Sequence, residues 1–220
     1  MVEVLQVNDK PFKCMTDMLD TAEQVFGGEY SLVIKYEDNF VFGMPKNPSC
    51  LDIGANCGMF AVWAHCCLGA STVHCYEPNP EAYELLVENL KTYDVCGYPV
   101  NKGVVGLENA EFELVVGPNN SGETKIVPTR GSGNVQVVEA HKLPKADFVK
   151  VDTEGMELDI LRYLDLTDTR VVMCETHSIE DRHAVEKLMQ DKGFVLFSGF
   201  VRNPNVATLR FVKSEYNIVK

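Results

Sequence analysis

The run Leu51-Asp52-Ile53-Gly54-Ala55-Asn56-Cys57-Gly58 constrains this chain more than any other. An apolar strand ends in an acid, and Gly-x-x-x-Gly then opens a helix. A second apolar run, Val73-His74-Cys75-Tyr76, ends in Glu77-Pro78, with Glu77 23 residues after Gly54. Strand, glycine turn, helix, strand and acid in that order make the first unit of a parallel sheet that binds a ligand at its carboxyl edge. Glycines let the backbone approach the ligand, and the helix start favours a charged or polar tail. The carboxylate of Glu77 can accept hydrogen bonds from both hydroxyls of a ribose.

The remaining pattern extends this unit. From residue 49, strands at Cys50–Ile53, Thr72–Tyr76, Tyr98–Asn101, Ala146–Val151 and Arg170–Cys174 alternate with helices. Met59–Leu68 is the first of these helices. Asn79 is placed to cap the second, with Pro80 at its first position and Tyr83, Leu86, Val87 and Leu90 on one face. Met156, Ile160, Leu161 and Leu164 mark the third, and Ser178 is placed to cap the fourth. Phe194–Phe197 and Thr208–Val212 close the chain as an antiparallel hairpin, with Asn203-Pro204-Asn205 between them. Ala110–Val116 reads as a strand added at the sheet edge, and Gly117–Gly133 as a long loop. The fold class is therefore α/β, a mostly parallel sheet with helices on both faces and a terminal antiparallel hairpin. Residues 49–220 form this domain. Residues 1–48 form a small extension, with a helix through Met15, Met18, Leu19, Ala22 and Phe26 stopped at Gly27-Gly28. A short hairpin of Leu32–Lys35 and Phe40–Phe42 follows.

Asp52, Glu77, Asp152 and Glu175 all fall at predicted strand ends, so they converge on one crevice. S-adenosylmethionine fits the acid–glycine–acid order. A nicotinamide dinucleotide fits less well, because Asn56 stands where G-x-G-x-x-G requires its second glycine. Asp52, just before the turn, would face a pyrophosphate unfavourably but suits a cationic amino group, directly or through water. The expected cofactor-binding residues are Asp52, Gly54, Asn56, Gly58, Glu77, Pro78, Gly103, Val104 and Asp152. Asp152 and Glu154 are expected in the reacting centre, with His177 opposite them. Glu157, on the first helical turn, is read as favourable to the helix dipole.

Three runs also resemble the FkbM family of S-adenosylmethionine-dependent methyltransferases: Leu51 to Gly58, Tyr76-Glu-Pro-Asn-Pro80 with Leu86 and Asn89, and Val149-Lys-Val-Asp-Thr-Glu-Gly-Met-Glu157. Phe26-Gly-Gly-Glu-Tyr30 and Cys174-Glu-Thr-His177 extend the likeness over about residues 20–200. The resemblance implies a class I, Rossmann-like methyltransferase fold and O-methylation of a small molecule or sugar. The chain departs from the family at Gly106, where a short polar residue, often Asp, is usual; the backbone of Gly103 to Val105 can serve the adenine instead. Methyl transfer to a hydroxyl needs positioning and a general base, and Asp152, Glu154 and His177 are the expected candidates. Residues 117–133 and 14–44 are expected to cover the acceptor. A cofactor-binding protein without catalysis and a nicotinamide-dependent oxidoreductase are the alternatives.

Composition narrows the partners. The formal charge is −12, with a sequence pI near 4.8, so a phosphate backbone is disfavoured as a partner. No apolar stretch suits a membrane span, and no secretion signal is seen, which points to a cytoplasmic protein. Eight cysteines in mostly apolar patterns are expected to be reduced. The spacing of Cys57, His65, Cys66, Cys67, His74 and Cys75 matches no zinc module, and no metal is expected. The composition does not specify an oligomeric state.

Overall fold

The computed structural model describes residues 1–29, 35–36, 39–40, 44–107, 110–117 and 121–216. It begins with a hairpin, β1 (Val2–Val7) and β2 (Lys10–Met15), turned at Asn8 and Asp9 with φ of 50° and 60°. Two left-handed residues suit the twist of a tight hairpin, and Asn and Asp tolerate them best. A short helix, α1 (Leu19–Gln24), follows and unwinds into a wider turn at Val25–Glu29, which runs through Gly27-Gly28. β3 (Lys35–Tyr36) pairs antiparallel with β4 (Asn39–Phe40). Most of the hairpin expected over Leu32–Lys35 and Phe40–Phe42 lies outside the described residues.

A seven-stranded sheet forms the centre. Its strands are β5 (Ser49–Ile53), β6 (Thr72–Tyr76), β7 (Gly97–Val100), β12 (Phe148–Val151), β13 (Val171–Thr176), β14 (Phe194–Val201) and β15 (Ala207–Lys213). The order across the sheet is β14-β15-β13-β12-β5-β6-β7. The strands from β13 to β7 are parallel, and β15 inserts antiparallel to both β13 and β14. The parallel strands are joined through α2 (Met59–Trp63), α3 (Pro80–Thr92) and α4 (Glu157–Tyr163). α5 (Ile179–Asp191) leads from β13 into the terminal hairpin. Asn79 Oδ1 accepts from the Glu81 N–H at 3.1 Å and Ser178 Oγ from the Asp181 N–H at 2.9 Å, so both expected caps form. Asn203 Oδ1 accepts from the Asn205 and Val206 N–H groups, which shapes the last turn.

Alternation along the strands builds two cores. Cys50, Phe148, Val171 and Met173 face one side, with Phe60, Leu86 and the N-terminal Phe12 and Cys14. Leu51, Ile53, Val149, Val151 and Val172 face the other, with Ile160, Leu161 and Val185. Side chains of period two and helices on both faces explain the split. Asn89, buried on α3, ties the N-terminal hairpin to the main sheet. Its Nδ2 donates to Lys13 O at 2.6 Å and to Cys57 O at 2.8 Å, and its Oδ1 accepts from the Lys13 N–H. Val87 lies off the buried stripe of α3, which instead runs through Ala82, Leu85, Leu86, Asn89 and Leu90.

Two expectations are corrected. Glu111–Val115 is not an edge strand of the central sheet. As β9 it pairs antiparallel with β10 (Lys125–Thr129) in a separate ribbon. The stretch 117–133 is therefore not one loop, because β10 lies within it; residues 118–120 lie outside the described residues. β8 (Gly103–Val105) and β11 (Val137–Glu139) pair parallel beside that ribbon. All eight cysteines are unbridged. Cys14, Cys50, Cys57, Cys75 and Cys174 are buried, while Cys66, Cys67 and Cys96 are exposed. Among the described residues no helix is long and apolar enough to cross a membrane.

Candidate active site

The glycine turn is anchored on β6, where Tyr76 O accepts from the N–H groups of both Gly54 and Ala55 at 3.0 Å. Gly54 has φ +77°, and a Cβ there would lie 1.7 Å from Asp152 O, so only glycine lets the turn press against the end of β12. Asn56 takes a left-handed conformation, with φ 49°, which Asn tolerates better than most residues. Its N–H donates to Glu77 Oε2 at 2.7 Å, and Glu77 Oε1 accepts from the Asn79 N–H at 2.8 Å. Burial pushes the Glu77 carboxyl up to about 7, against the lowering effect of those two amides. An ionised carboxylate accepts about four hydrogen bonds in all. The backbone uses two, which leaves two acceptors for a ribose.

The cleft beside this turn is lined by Gly54, Ala55, Asn56, Glu77, Pro78, Gly103 and Val104. Lys150, Asp152, Glu154, Glu175 and Arg202 line it as well, and Met18, Thr21, Gly122, Thr124 and Ile126 form its outer wall. Two expected cofactor residues are absent from the lining. Gly58, at φ +88°, starts α2 where a Cβ would come 2.8 Å from Leu86 Cδ1, so it serves helix packing. Asp52 is fully buried behind Lys150, with Nζ at 3.4 Å from its Oδ1, and neither of its oxygens has a hydrogen bond among the described residues. Burial raises its carboxyl, with Lys150 opposing. Asp52 can therefore act on a ligand only through Lys150.

The acid turn, residues 152–157, is held differently. Glu157 is buried. Its Oε1 accepts from the Thr153 N–H at 2.7 Å, the Thr153 hydroxyl at 3.0 Å and the Gly155 N–H at 3.1 Å. Glu157 thus wraps the turn around itself, which goes beyond the helix-dipole reading. Glu154 in that turn has φ 59°, a left-handed conformation that costs a non-glycine residue about 1–2 kcal/mol. Its Oε2 lies 3.2 Å from His177 Nδ1. His177 Nε2 lies 3.8 Å from Asp152 Oδ1 and 3.7 Å from Glu157 Oε1.

These charges shift one another. Burial would raise Asp152, but Lys150 and His177 hold it down at about 2. Burial and the Asp152 charge push Glu154 up to about 8, His177 opposing. Burial would lower His177, but Asp152, Glu157 and Glu154 raise it to about 9. His177 is therefore an imidazolium at neutral pH. Its ring lies among Asp152, Glu154 and Glu157 and is not among the residues that line the cleft. Burial and Asp152 also push Glu175 up to about 7, while Arg202 Nη1 stands 3.4 Å from its Oε1. Asp152, Glu157 and His177 bring ligand-type atoms within 4.8 Å of one another, a spacing a metal ion could use. The Glu157 oxygen nearest His177 is already committed to three donors.

The structure brings Glu77, Asp152 and Glu175 together as the strand-end pattern predicts. The spacing along the sequence does not point to Lys150 or Arg202 as lining residues, whereas the outer wall falls within the two regions expected to cover the acceptor. Lys150 Nζ and His177 Nε2 are cations beside Asp152, at 3.5 and 3.8 Å. The departure at Gly106 has a local cause. Its N–H donates to Asp159 Oδ2 at 3.1 Å, and a Cβ there would fall 2.2 Å from that oxygen.

Turn, ribose acceptor and apolar wall together fit S-adenosylmethionine. Gly54 seats the turn against the end of β12, Glu77 has acceptor capacity beyond the two backbone amides, and Val104 is apolar surface that an adenine could meet. Comparison with known proteins agrees. The methyltransferase FkbM domain matches residues 52–196. A hexuronic acid methyltransferase, AglP, of Haloferax volcanii is 29% identical over 148 residues, covering 64% of this chain and 60% of that protein. The chain thus spans less than two thirds of that relative. The methyltransferase sdnD of Sordaria araneosa is 26% identical, covering 75% of this chain and 85% of its own. The tRNA m1G37 methyltransferase structure from M. jannaschii shares the fold, with TM-score 0.51 and 11% identity over 96% of this chain and 56% of that one. This chain belongs to the FkbM methyltransferase family, with S-adenosylmethionine as its cofactor.

Proposed function

We propose that the protein transfers a methyl group to a hydroxyl of a small molecule or sugar, with Glu154 as general base. The observation that carries this reading is that Glu154 lines the same cleft as the glycine turn, with His177 Nδ1 3.2 Å from its Oε2. S-adenosylmethionine supplies the methyl group and, as a sulfonium, an excellent leaving group. The chain has to bring the acceptor oxygen into line and take its proton. A carboxyl pushed up to about 8 is a stronger base once ionised than an ordinary one, and it is poised near working pH. The His177 imidazolium orients that carboxylate and steadies its charge, so His177 is a positioning residue. Asp152, held ionised, faces the same cleft beside the glycine turn and favours a cationic centre there.

Gly54, Ala55, Asn56, Glu77, Pro78, Gly103 and Val104 would hold the cofactor, with Glu77 on the ribose hydroxyls. The outer wall belongs to the two regions expected to cover the acceptor. Met18 and Thr21 come from the N-terminal extension, and Gly122, Thr124 and Ile126 from the 117–133 stretch. A sugar acceptor is supported by the hexuronic acid methyltransferase among the relatives. The charge of −12 disfavours RNA, and the tRNA methyltransferase likeness bears on fold alone.

The test is methyl transfer from labelled S-adenosylmethionine to a panel of sugars, hexuronic acids, hydroxylated small molecules and transfer RNA. A methyl ether on a sugar or small molecule, lost in Glu154→Gln with cofactor affinity kept, is the expected result. Methylation of RNA alone would overturn the acceptor class. Full turnover in Glu154→Gln on the true acceptor would overturn the base.

A further inference from the structure

Lys150 is a cation in the middle of an apolar strand, with its side chain 7% exposed. Burying an ammonium is costly unless its protons are satisfied, and an apolar residue would fill β12 at less cost. Register explains its surroundings. Lys150 lies directly opposite Asp52 on β5, and it shares a sheet face with Asp152, two residues on. Its Nζ donates to Gly54 O at 2.6 Å and lies 3.4 Å from Asp52 Oδ1 and 3.5 Å from Asp152 Oδ2. One ammonium, with three protons to give, therefore meets β5, the first residue of the glycine turn and the end of β12. The shortest of these contacts is to the backbone carbonyl of the turn, not to either acid. Immediately beyond that carbonyl, Ala55 and Asn56 line the cleft.

We propose that Lys150 is a positioning residue. It locks the Gly54 carbonyl, and with it the cofactor turn, in a set relation to Asp152 on the acceptor side. Methyl donor and acceptor oxygen are then held in one geometry by a group that touches the walls of both subsites. This rests on the proposed cofactor site at the glycine turn. The competing account is that Lys150 only neutralises Asp52.

Calorimetric titration with S-adenosylmethionine, together with thermal melts, separates the two accounts in three variants. Lys150→Met should weaken binding about 10- to 100-fold, as expected for a lost hydrogen bond from a charged donor, and should lower the melting temperature by stranding Asp52. The double variant Asp52→Asn/Lys150→Met removes both members of the buried pair, and its melting temperature should recover toward that of the unaltered protein. Its affinity should stay as weak as in Lys150→Met, because the Gly54 carbonyl is still released. Should Lys150→Met not fold, the double variant carries the test. If the double variant binds as the unaltered protein does, Lys150 merely balances Asp52 and the proposal fails. Glu77→Ala is the control for the underlying site. Unchanged affinity there would remove the cofactor assignment itself, whereas a loss there with normal binding in the double variant removes only the role of Lys150.

Discussion

At the glycine turn, residues 54–58, the chain presents mostly backbone to the cleft; at the acid turn, residues 152–157, it presents mostly side-chain charge. The first turn is shaped by positive φ at Gly54, Asn56 and Gly58 and by amides that Tyr76 O and Glu77 hold in place. The second also bends through positive φ, at Glu154 and Gly155, but a single buried carboxylate, Glu157, holds it. The contrast follows the work proposed for each. A cofactor of constant shape is recognised by fixed amides and one carboxylate. A proton has to move at the acceptor, and that requires groups whose charge can change. The pKa values divide accordingly, with Asp152 held at about 2 and Glu154 raised to about 8 within three residues of each other.

Substitutions can break this contrast, beginning with the largest effect. Glu154→Gln should lower turnover about 10²–10⁴-fold, the usual loss for a general base. Affinity for S-adenosylmethionine should stay unchanged, because that binding belongs to the other turn; single-turnover kinetics with calorimetry would show the split. Gly54→Ala should act on the fold itself. Its Cβ would lie 1.7 Å from Asp152 O at φ +77°, and a backbone shift plus left-handed strain should cost about 3 kcal/mol or more. Thermal or urea denaturation measures that loss, and a stable variant would mean the two turns are not pressed together.

Smaller effects sharpen the comparison. Glu77→Ala should weaken S-adenosylmethionine binding by about 1–3 kcal/mol with little change in the chemical step. Turnover should climb as pH rises through about 8, since Glu154 works only when ionised. His177 lowers the Glu154 pKa, so His177→Gln should move that limb to higher pH by about 1–3 units. A limb that stays in place would free His177 from its proposed role. Least of all, Asp159→Ala should cost about 1 kcal/mol through the lost bond to the Gly106 N–H, with methyl transfer intact.

The strand-end acids show how far sequence reading reaches. Alternation of apolar runs and helices is enough to place Glu77, Asp152 and Glu175 at one edge, because a parallel sheet aligns all its carboxyl ends. Caps at Asn79 and Ser178 were equally legible, since each depends on contacts within three residues. The first hairpin was missed although Asn8-Asp9 between alternating apolar residues signals it. β9 was legible as a strand, but its pairing with β10 was not, because nothing local distinguishes a sheet edge from a separate ribbon.

By itself, then, the sequence determined the alternation of strands and helices from residue 49, the glycine turn and the second acid, which rest on local spacing, and it carried the motif runs that resemble the family. Tertiary structure decided which groups face the cleft and which stand behind them. Asp52 and His177 were expected to meet ligand, yet Lys150 screens the first, and Glu154 and Asp152 stand beside the second. It also decided the charge states, because Lys150 and Asp52 meet only through the register of two strands 98 residues apart. Burial and cross-strand distance set such pKa values, and neither is written in the spacing of residues along one strand.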